Sequence, residues 1–352
     1  MEGQDLTVAI PVYNRARMLA QALESCRRQT LRGFSVLVWD NCSTEDLSAV
    51  VSQFPDLRIS YRRHDAPVSA VANFVAASEA VETSFVKFLC SDDLLFPRAL
   101  EWQLGALLRA PAAAICLGGF VEFSESDGSA TPRLHQFRRP SLPVHDRLSG
   151  WLRFETVNCY FPSASLYRAR CFHEVGGFHS ALTAAMDWEN YLALLARYEV
   201  VKVDETVCAN RRHAEQWTCE AAFESGARFL RDVLLLTSAR TNPLLDRMGL
   251  PATQLTYLRH QSCWAALRQA LSARGGQARG VRQWWRHMAG AGMGWPLAAG
   301  VLPWLAAKTW EKLNRRLHRE SSPAPAWPGA AARAETTANL QQILDGGSAV
   351  LV

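Results

Sequence analysis

The fold class is decided by the stretch Phe85-Val86-Lys87-Phe88-Leu89-Cys90-Ser91-Asp92-Asp93, a short and mostly apolar run that ends in two adjacent carboxylates. Runs of this length are typical of a strand that is covered on both faces of a sheet. In open α/β sheets, ligands bind beyond the carboxyl ends of such strands. Two carboxylates there suit a divalent cation such as Mg²⁺ or Mn²⁺ that also binds a diphosphate. A solvated acidic turn in front of a helix is the alternative that this stretch alone leaves open.

Strand and helix patterns alternate ahead of this stretch. The β-rich runs and the segments with helical spacing follow one another at residues 6–12, 15–29, 34–39, 44–54, 59–62 and 69–80. Such alternation predicts an α/β fold with a mostly parallel sheet flanked by helices. In that sheet Pro11, Asp40 and Asp92 fall at strand ends on one edge. We therefore expect one cleft to collect the loop after Pro11, the Asp40 carboxylate and the acidic pair.

Composition limits the class of protein. The 352 residues suit two domains, or one large α/β domain with a helical appendage. A formal net charge of +5 without long blocks of like charge does not indicate a nucleic-acid partner. Nine cysteines without a Cys-x-x-Cys pair argue against a disulfide framework and a structural zinc site, and they suit a reducing compartment. The N-terminus lacks a signal-peptide pattern, so we expect a cytoplasmic location.

A second group of signals lies downstream. A Gly176-Gly177 turn precedes Asp187, which opens an apolar helical pattern. Asp187 is either a residue that complements the helix dipole or a base that faces a substrate hydroxyl. His213 follows a strand-like segment, and its imidazole can complete a metal shell, while the adjacent arginines can bind phosphate oxygens. Dinucleotide-binding and P-loop glycine motifs are missing from the sequence, which disfavours those two classes.

Taken together, these motifs resemble those of the family 2 glycosyltransferases with the GT-A fold over residues 5–220. The resemblance rests on six segments in family order: Ile10-Pro11-Val12-Tyr13-Asn14-Arg15, Val38-Trp39-Asp40-Asn41-Cys42-Ser43, Phe88-Leu89-Cys90-Ser91-Asp92-Asp93 with Pro97, Gly176-Gly177-Phe178, Asp187-Trp188-Glu189 and Arg212-His213. It implies a Rossmann-like, mixed and mostly parallel sheet. It also implies transfer of a sugar from a nucleotide-diphosphate donor to a hydroxyl, usually with inversion at the anomeric carbon.

The resemblance also implies roles for single residues. Asp187 corresponds to the catalytic base, Asp92 to a metal ligand, and His213 to a histidine near the metal and diphosphate. We assign Asp93 to the same metal shell. The predicted donor-site residues are Pro11, Tyr13, Asn14, Asp40, Asn73, Ser91 and Arg212. The chain differs from the usual family pattern at Ser69, Cys90 and Met186, which bears on donor preference and metal affinity more than on the reaction class.

The chain is predicted to contain four segments. They are a catalytic domain at 1–219, with a nucleotide-binding half at 1–105 and an acceptor half at 106–219, a helical appendage at 220–275, a tryptophan-rich basic segment at 276–320 and a flexible tail at 321–352. The apolar run inside 276–320 is short and contains two prolines, which disfavours a membrane span. Tryptophans beside basic residues suit peripheral attachment to the inner leaflet, and a tryptophan-rich core or subunit contact is an equal alternative.

The expected function is therefore that of an inverting glycosyltransferase with a divalent metal, Mn²⁺ or Mg²⁺, and a nucleotide-sugar donor, with a UDP-sugar favoured. A saccharide or lipid-linked acceptor would place it in cell-surface polysaccharide or glycolipid assembly. Two other classes stay open. A sugar-phosphate nucleotidyltransferase would release pyrophosphate, and a silent nucleotide- or carbohydrate-binding module would bind donor without turnover.

Overall fold

The computed structural model describes residues 5–124, 162–178, 186–213 and 330–349. The strands in these ranges are β1 (Leu6–Val12), β2 (Ser35–Asp40), β3 (Arg58–Arg63), β4 (Phe85–Phe88), β5 (Leu94–Leu95), β6 (Ala113–Ser124), β7 (Ser165–Arg168) and β8 (Glu199–Arg212). The α-helices are α1 (Ala16–Arg27), α2 (Leu47–Val51), α3 (Ala70–Glu79), α4 (Ala99–Arg109), α5 (Ala169–Glu174), α6 (Met186–Arg197) and α7 (Ala330–Ala349). A 3₁₀ turn covers Pro162–Ala164.

All eight strands belong to one sheet in the order β3-β2-β1-β4-β7-β6-β8-β5. Strand β1 pairs in parallel with β2 and β4, β2 pairs in parallel with β3, and β6 pairs in parallel with β8. Strand β7 is antiparallel to β4 and β6, and β5 is antiparallel to β8. This arrangement confirms the predicted α/β fold with a mixed, mostly parallel sheet.

The sheet is covered on both faces, which explains its apolar strands. Every residue of β1 and of β4 is buried. One apolar cluster includes Leu19 and Leu23 of α1 with Leu104 of α4, and another includes Phe172 of α5 and Leu194 of α6. Strands that are buried on both sides read as continuous apolar runs, as the sequence shows.

Lys87 is a buried charge in the middle of β4. Its Nζ donates a 2.6 Å hydrogen bond to Gln103 Oε1, and the Gln103 amide donates to the carbonyls of Cys116 and Ala164. Burial lowers the pKa of Lys87 to about 8. Within the described residues, the polar partner of the ammonium group is a neutral amide, and no directly paired carboxylate neutralises it there.

Two elements differ from the sequence prediction. Strand β4 ends at Phe88 rather than at Asp92, because the Cys90 amide donates to Ser163 Oγ at 3.0 Å instead of to a neighbouring strand. Residues 330–349 form helix α7 where a flexible tail is predicted, because Leu340 and Ile343 lie three positions apart on one helix face and are buried. The proposed segments at 220–275 and 276–320 lie outside the described residues, so the domain limits stay predictions.

Among the helices of the described ranges, none combines the length and the apolar content that a transmembrane span requires.

Candidate functional site

The acidic turn between β4 and β5 brings Asp92 to two basic side chains. Asp92 Oδ2 lies 3.0 Å from His213 Nε2 and 3.5 Å from Arg15 Nη1. The Asp92 and His213 side chains are 11% and 6% exposed. Within the described ranges, the second imidazole nitrogen of His213 is buried without a hydrogen-bond partner. A carboxylate, an imidazole and a guanidinium therefore meet at this edge of the sheet, as predicted for Asp92 and His213.

Asp93 is fully buried and uses both carboxylate oxygens on protein donors. Ser163 Oγ donates to Oδ2 at 2.6 Å, while Asn210 Nδ2 and the Arg211 amide donate to Oδ1 at 3.2 and 3.1 Å. Burial, followed by the Asp92 charge, raises the pKa of Asp93 to about 7. Asp93 thus ties the acidic turn to the 3₁₀ turn and to the end of β8.

The two adjacent arginines at the end of β8 point in different directions. Arg211 is fully buried, donates from Nε to the Asp92 carbonyl at 2.8 Å, and lies 4.9 Å from the Phe123 ring centroid. Arg212 instead donates from Nε to Glu122 at 3.2 Å. Successive side chains of a strand alternate between its faces. The structure therefore brings Arg211 to the acidic turn and pairs Arg212, the predicted phosphate ligand, with a carboxylate.

Cys90 lies beside the acidic pair. The Cys90 sulphur and one oxygen each of Asp92 and Asp93 lie within 4.8 Å of one another. Burial raises the pKa of the Cys90 thiol well above its usual value, and the charges of Asp93 and Asp92 act in the same direction. Asp187, the predicted base, lies in the first turn of α6.

Asp40 lies at the end of β2, as predicted, but its carboxylate is occupied. Oδ2 accepts from Tyr61 Oη at 2.6 Å and from Arg63 Nη1 at 2.9 Å. Oδ1 accepts from the Ser43 amide at 2.9 Å and from the Ser43 hydroxyl. With Asp40 fully buried, protein donors engage both of its oxygens.

The loop after β1 is held by the loop after β2. Asn14 Oδ1 accepts from the Thr44 amide at 2.8 Å, and the Glu45 carboxylate accepts from the amides of Arg15 and Ala16 at 2.7 and 2.8 Å. Asn14 and Arg15 adopt left-handed backbone conformations, with φ of 54° and 67°. The first amides of a helix lack acceptors within the helix, and at the start of α1 the Glu45 carboxylate is that acceptor. The Arg15 side chain extends towards Asp92.

The remaining predicted donor-site residues lie along the same edge. Pro11 is buried in β1, and Tyr13 is 48% exposed just beyond that strand. Asn73 Nδ2 lies 3.5 Å from the Val12 carbonyl, and within the described ranges its Oδ1 is buried without a partner. Ser91 is buried inside the acidic turn.

Several residues of the site were missed by the sequence analysis. Residues two positions apart in a strand share a face, so Arg211, and not Arg212, lies on the same face as His213. The sequence therefore contained a signal for Arg211. The partner of Asp93 in the 3₁₀ turn, Ser163, carries no local signal, because the two residues lie 70 positions apart. Arg15 is the last residue of the motif at residues 10–15, but only the structure shows its contact with Asp92.

Solved structures with a similar fold define the class of protein. Crystal structures of Staphylococcus aureus TarS 1–349 match with TM-scores of 0.58 for the complex with UDP and 0.60 for the complex with UDP-GlcNAc, each at 16% identity. The first match covers 98% of this chain and 90% of TarS 1–349, and the second covers 82% and 80%. The fold is therefore that of the GT-A glycosyltransferases.

Sequence comparison supports the same class. Residues 7–176, just under half of the chain, match the model described as glycosyl transferase family 2, and this match supports a family 2 glycosyltransferase. An uncharacterised glycosyltransferase of Rickettsia bellii is 38% identical over 102 residues, which are 28% of this chain and 14% of the relative. The Escherichia coli protein named UDP-Glc:alpha-D-GlcNAc-diphosphoundecaprenol beta-1,3-glucosyltransferase WfgD is 26% identical over 109 residues, 31% of this chain and 43% of the relative. The chain thus spans less than half the length of these relatives.

Proposed function

We propose that this protein is an inverting glycosyltransferase that transfers a sugar from a nucleotide-diphosphate donor, preferably a UDP-sugar, to an acceptor hydroxyl. One observation carries the proposal: the side chains of Asp92, His213 and Arg15 meet at one edge of the sheet. A UDP donor is supported by the TarS complexes with UDP and UDP-GlcNAc and by the name of the E. coli relative.

The residues at the acidic turn fit a divalent cation. Asp92 offers carboxylate oxygens, and His213 presents an imidazole nitrogen 3.0 Å from one of them. Carboxylate oxygens suit both Mg²⁺ and Mn²⁺, whereas imidazole nitrogen suits transition metals, so a site with one imidazole favours Mn²⁺. Both oxygens of Asp93 accept hydrogen bonds from protein donors. We therefore assign the metal to Asp92 and His213, and we assign to Asp93 the role of holding the turn. When bound, the metal supplies positive charge against the departing diphosphate.

Asp187 supplies the base in the proposed reaction. Its carboxylate accepts the proton of the acceptor hydroxyl while that oxygen bonds to the anomeric carbon from the face opposite the leaving group. The bond between the anomeric carbon and the diphosphate oxygen breaks in the same step, and the nucleoside diphosphate leaves with the bonding electrons. The Arg15 guanidinium, 3.5 Å from Asp92, offers additional positive charge near that leaving group.

A relative and the tryptophan-rich segment support the proposed acceptor class. The E. coli relative is named for a diphosphoundecaprenol-linked acceptor, and residues 276–320 have the composition of an interfacial anchor. A saccharide or lipid-linked acceptor in cell-surface polysaccharide or glycolipid assembly, used at the inner face of the membrane, fits both. Full-length protein should float with anionic liposomes, and the Trp284→Ala/Trp285→Ala/Trp295→Ala variant should not. Equal flotation of both proteins would contradict membrane attachment through this segment.

The donor site is tested by thermal-shift measurements with UDP, GDP, CDP and dTDP and their sugars, each with and without Mn²⁺. We expect a selective, metal-dependent stabilisation that Asp92→Ala abolishes and that Asp56→Ala, which removes an exposed carboxylate, preserves. Folded protein that responds to none of the nucleotides would contradict the proposal. Release of pyrophosphate would indicate a nucleotidyltransferase, and binding without turnover would indicate a silent module.

A further inference from the structure

Helix α7 packs against the elements that surround the acidic turn. Its buried residues Leu340 and Ile343 form a separate apolar cluster with residues of the sheet, namely Leu94, Phe96, Val121, Phe123 and Ala209. Leu94 begins β5 directly after Asp93, and Phe123 is the ring over which the Arg211 guanidinium lies. The helix, far away in sequence, therefore supports the strand that leaves the acidic turn.

Two glycines bring the backbone of α7 onto α1. A Cβ atom at Gly347 would lie 2.5 Å from the Gln21 Cα and 2.9 Å from the Gln21 amide nitrogen. A Cβ atom at Gly346 would instead meet the ends of the Glu24 and Arg28 side chains. Glycine inside a helix is unfavourable relative to alanine, so close packing that leaves no room for a Cβ atom explains a glycine there. At Gly347 that reason is backbone contact with α1.

Hydrogen bonds continue from this contact to the acidic turn. Buried Gln21 donates from Nε2 to the Leu344 carbonyl of α7 at 3.2 Å and accepts from Arg211 Nη2 at 2.8 Å. Arg211 then donates from Nε to the Asp92 carbonyl at 2.8 Å and from its amide to Asp93 Oδ1 at 3.1 Å. One side chain of α1 thus joins α7 to the arginine that holds both members of the acidic pair.

We propose that α7 braces the acidic turn and that Gln21 and Arg211 are positioning residues for Asp92 and Asp93. Resting on the proposed function, this inference makes the buried face of α7, with Leu340, Ile343 and Gly347, a support of the donor site rather than part of a tail. Undocking α7 removes the Leu344 acceptor and the apolar support of β5, which frees Gln21 and Arg211 to reorient. Metal-dependent nucleotide binding then weakens although no ligand-contacting residue is changed.

Hydrogen–deuterium exchange on the full-length, ligand-free protein tests the brace without relying on activity. Gly347→Ala and Gly346→Ala make the same change in helix propensity, but only the first drives a Cβ atom into backbone. We expect Gly347→Ala to speed exchange about tenfold in peptides covering 338–347 and 90–96, with no change in 58–63. Gly346→Ala should leave all three peptides close to wild type. Faster exchange in 338–347 without any change in 90–96 would overturn the brace.

A second pair of variants covers the case in which Gly347→Ala leaves α7 docked. Leu340→Asp/Ile343→Asp places two charges in the buried cluster, whereas Gln341→Asp/Gln342→Asp places the same charges on the exposed face. Only the first variant should loosen 90–96 and weaken Mn²⁺-dependent UDP binding, by about tenfold. Equal behaviour of the two variants would overturn the proposal. Wild-type protein that binds no nucleotide would remove the proposed function, while the exchange data would still decide the brace.

Discussion

Asp40 is the last residue of β2 and Asp92 lies in the turn that follows β4, but the surroundings of the two carboxylates differ. Asp40 is enclosed by Tyr61, Arg63 and Ser43, which donate to both of its oxygens. The carboxylate of Asp92 is contacted only at Oδ2, by Arg15 and His213, within the described part of the chain. A carboxylate at the end of a strand is thus not sufficient for a ligand site. At least one of its oxygens must also be able to accept a bond that the protein itself does not supply.

The same contrast extends to the charges around each carboxylate. Near the acidic turn, burial raises the pKa of Asp93, lowers that of Lys87, and leaves one His213 nitrogen without a described partner. Such incompletely neutralised groups cost stability and cluster at functional sites. On the side of β1 to β3, the polar groups form hydrogen bonds with one another. The comparison supports the proposal that the chemistry takes place on the acidic side, and it shows that Asp40 is held by protein donors.

The largest effect is expected at Asp187. Asp187→Asn should lower kcat by ~10²–10⁴-fold, the usual contribution of a general base, and leave the dissociation constant of the nucleotide nearly unchanged. Steady-state rates and calorimetric UDP binding measure the two quantities. Glu199→Gln, which removes an exposed carboxylate, is the control. Normal turnover of Asp187→Asn with the acceptor would contradict the assignment of Asp187 as the base.

Lys87 tests the stability cost of the acidic side. Its folded pKa is about 8, below an unfolded value of ~10.4, so the unfolded chain binds more protons between these pH values and stability rises with pH there. The cost of burying the charge, about 3 kcal/mol, is complete below pH 8 and is lost above pH ~10.4. Lys87→Met should therefore lose about 3 kcal/mol relative to wild type as the pH rises through this range. Denaturant unfolding measures the difference, and a constant offset would contradict burial of a charged lysine.

Removal of Asp40 measures the structural role of the other side. Asp40→Ala should lower the free energy of unfolding by about 2–3 kcal/mol, because Tyr61, Arg63 and Ser43 lose a buried charged acceptor. Asp92→Ala should cost less than about 1 kcal/mol, because its partners are fewer and longer. Asp56→Ala at an exposed position is the control for urea titrations. Equal losses for Asp40 and Asp92 would erase the contrast between the two carboxylates.

The smallest effect is expected at Arg212. Its exposed ion pair with Glu122 contributes no more than about 1 kcal/mol, so Arg212→Gln should change both unfolding and UDP affinity little. Arg211→Gln, at the adjacent buried position, should weaken both. Isothermal titration and denaturant unfolding of the pair provide the comparison. A strong loss of UDP affinity in Arg212→Gln would restore Arg212 as a donor ligand.

The sequence predicted the parts of the fold that depend on local patterns. Strand β1 has the predicted bounds, and β2, β3, α1 and α3 lie within a residue or two of the periodic segments, because burial on one or both faces imprints a period on the sequence. Ser163 and Gln21 could not be predicted, because their contacts join distant segments. The difference between Asp40 and Asp92 was also hidden, because the donors that occupy a carboxylate are set by packing.

The spacing of hydrogen-bond partners has a consequence for the order of folding. The donors to Asp40 lie 3, 21 and 23 positions away, whereas those to Asp93 lie 70, 117 and 118 positions away. Short loops close at lower entropic cost, so the first network can form as soon as Arg63 has left the ribosome. The acidic turn must wait for Arg211, on the order of ten seconds later at ordinary rates of synthesis. During that interval the hydrogen bonds of Asp40 can be complete while those of Asp93 are not.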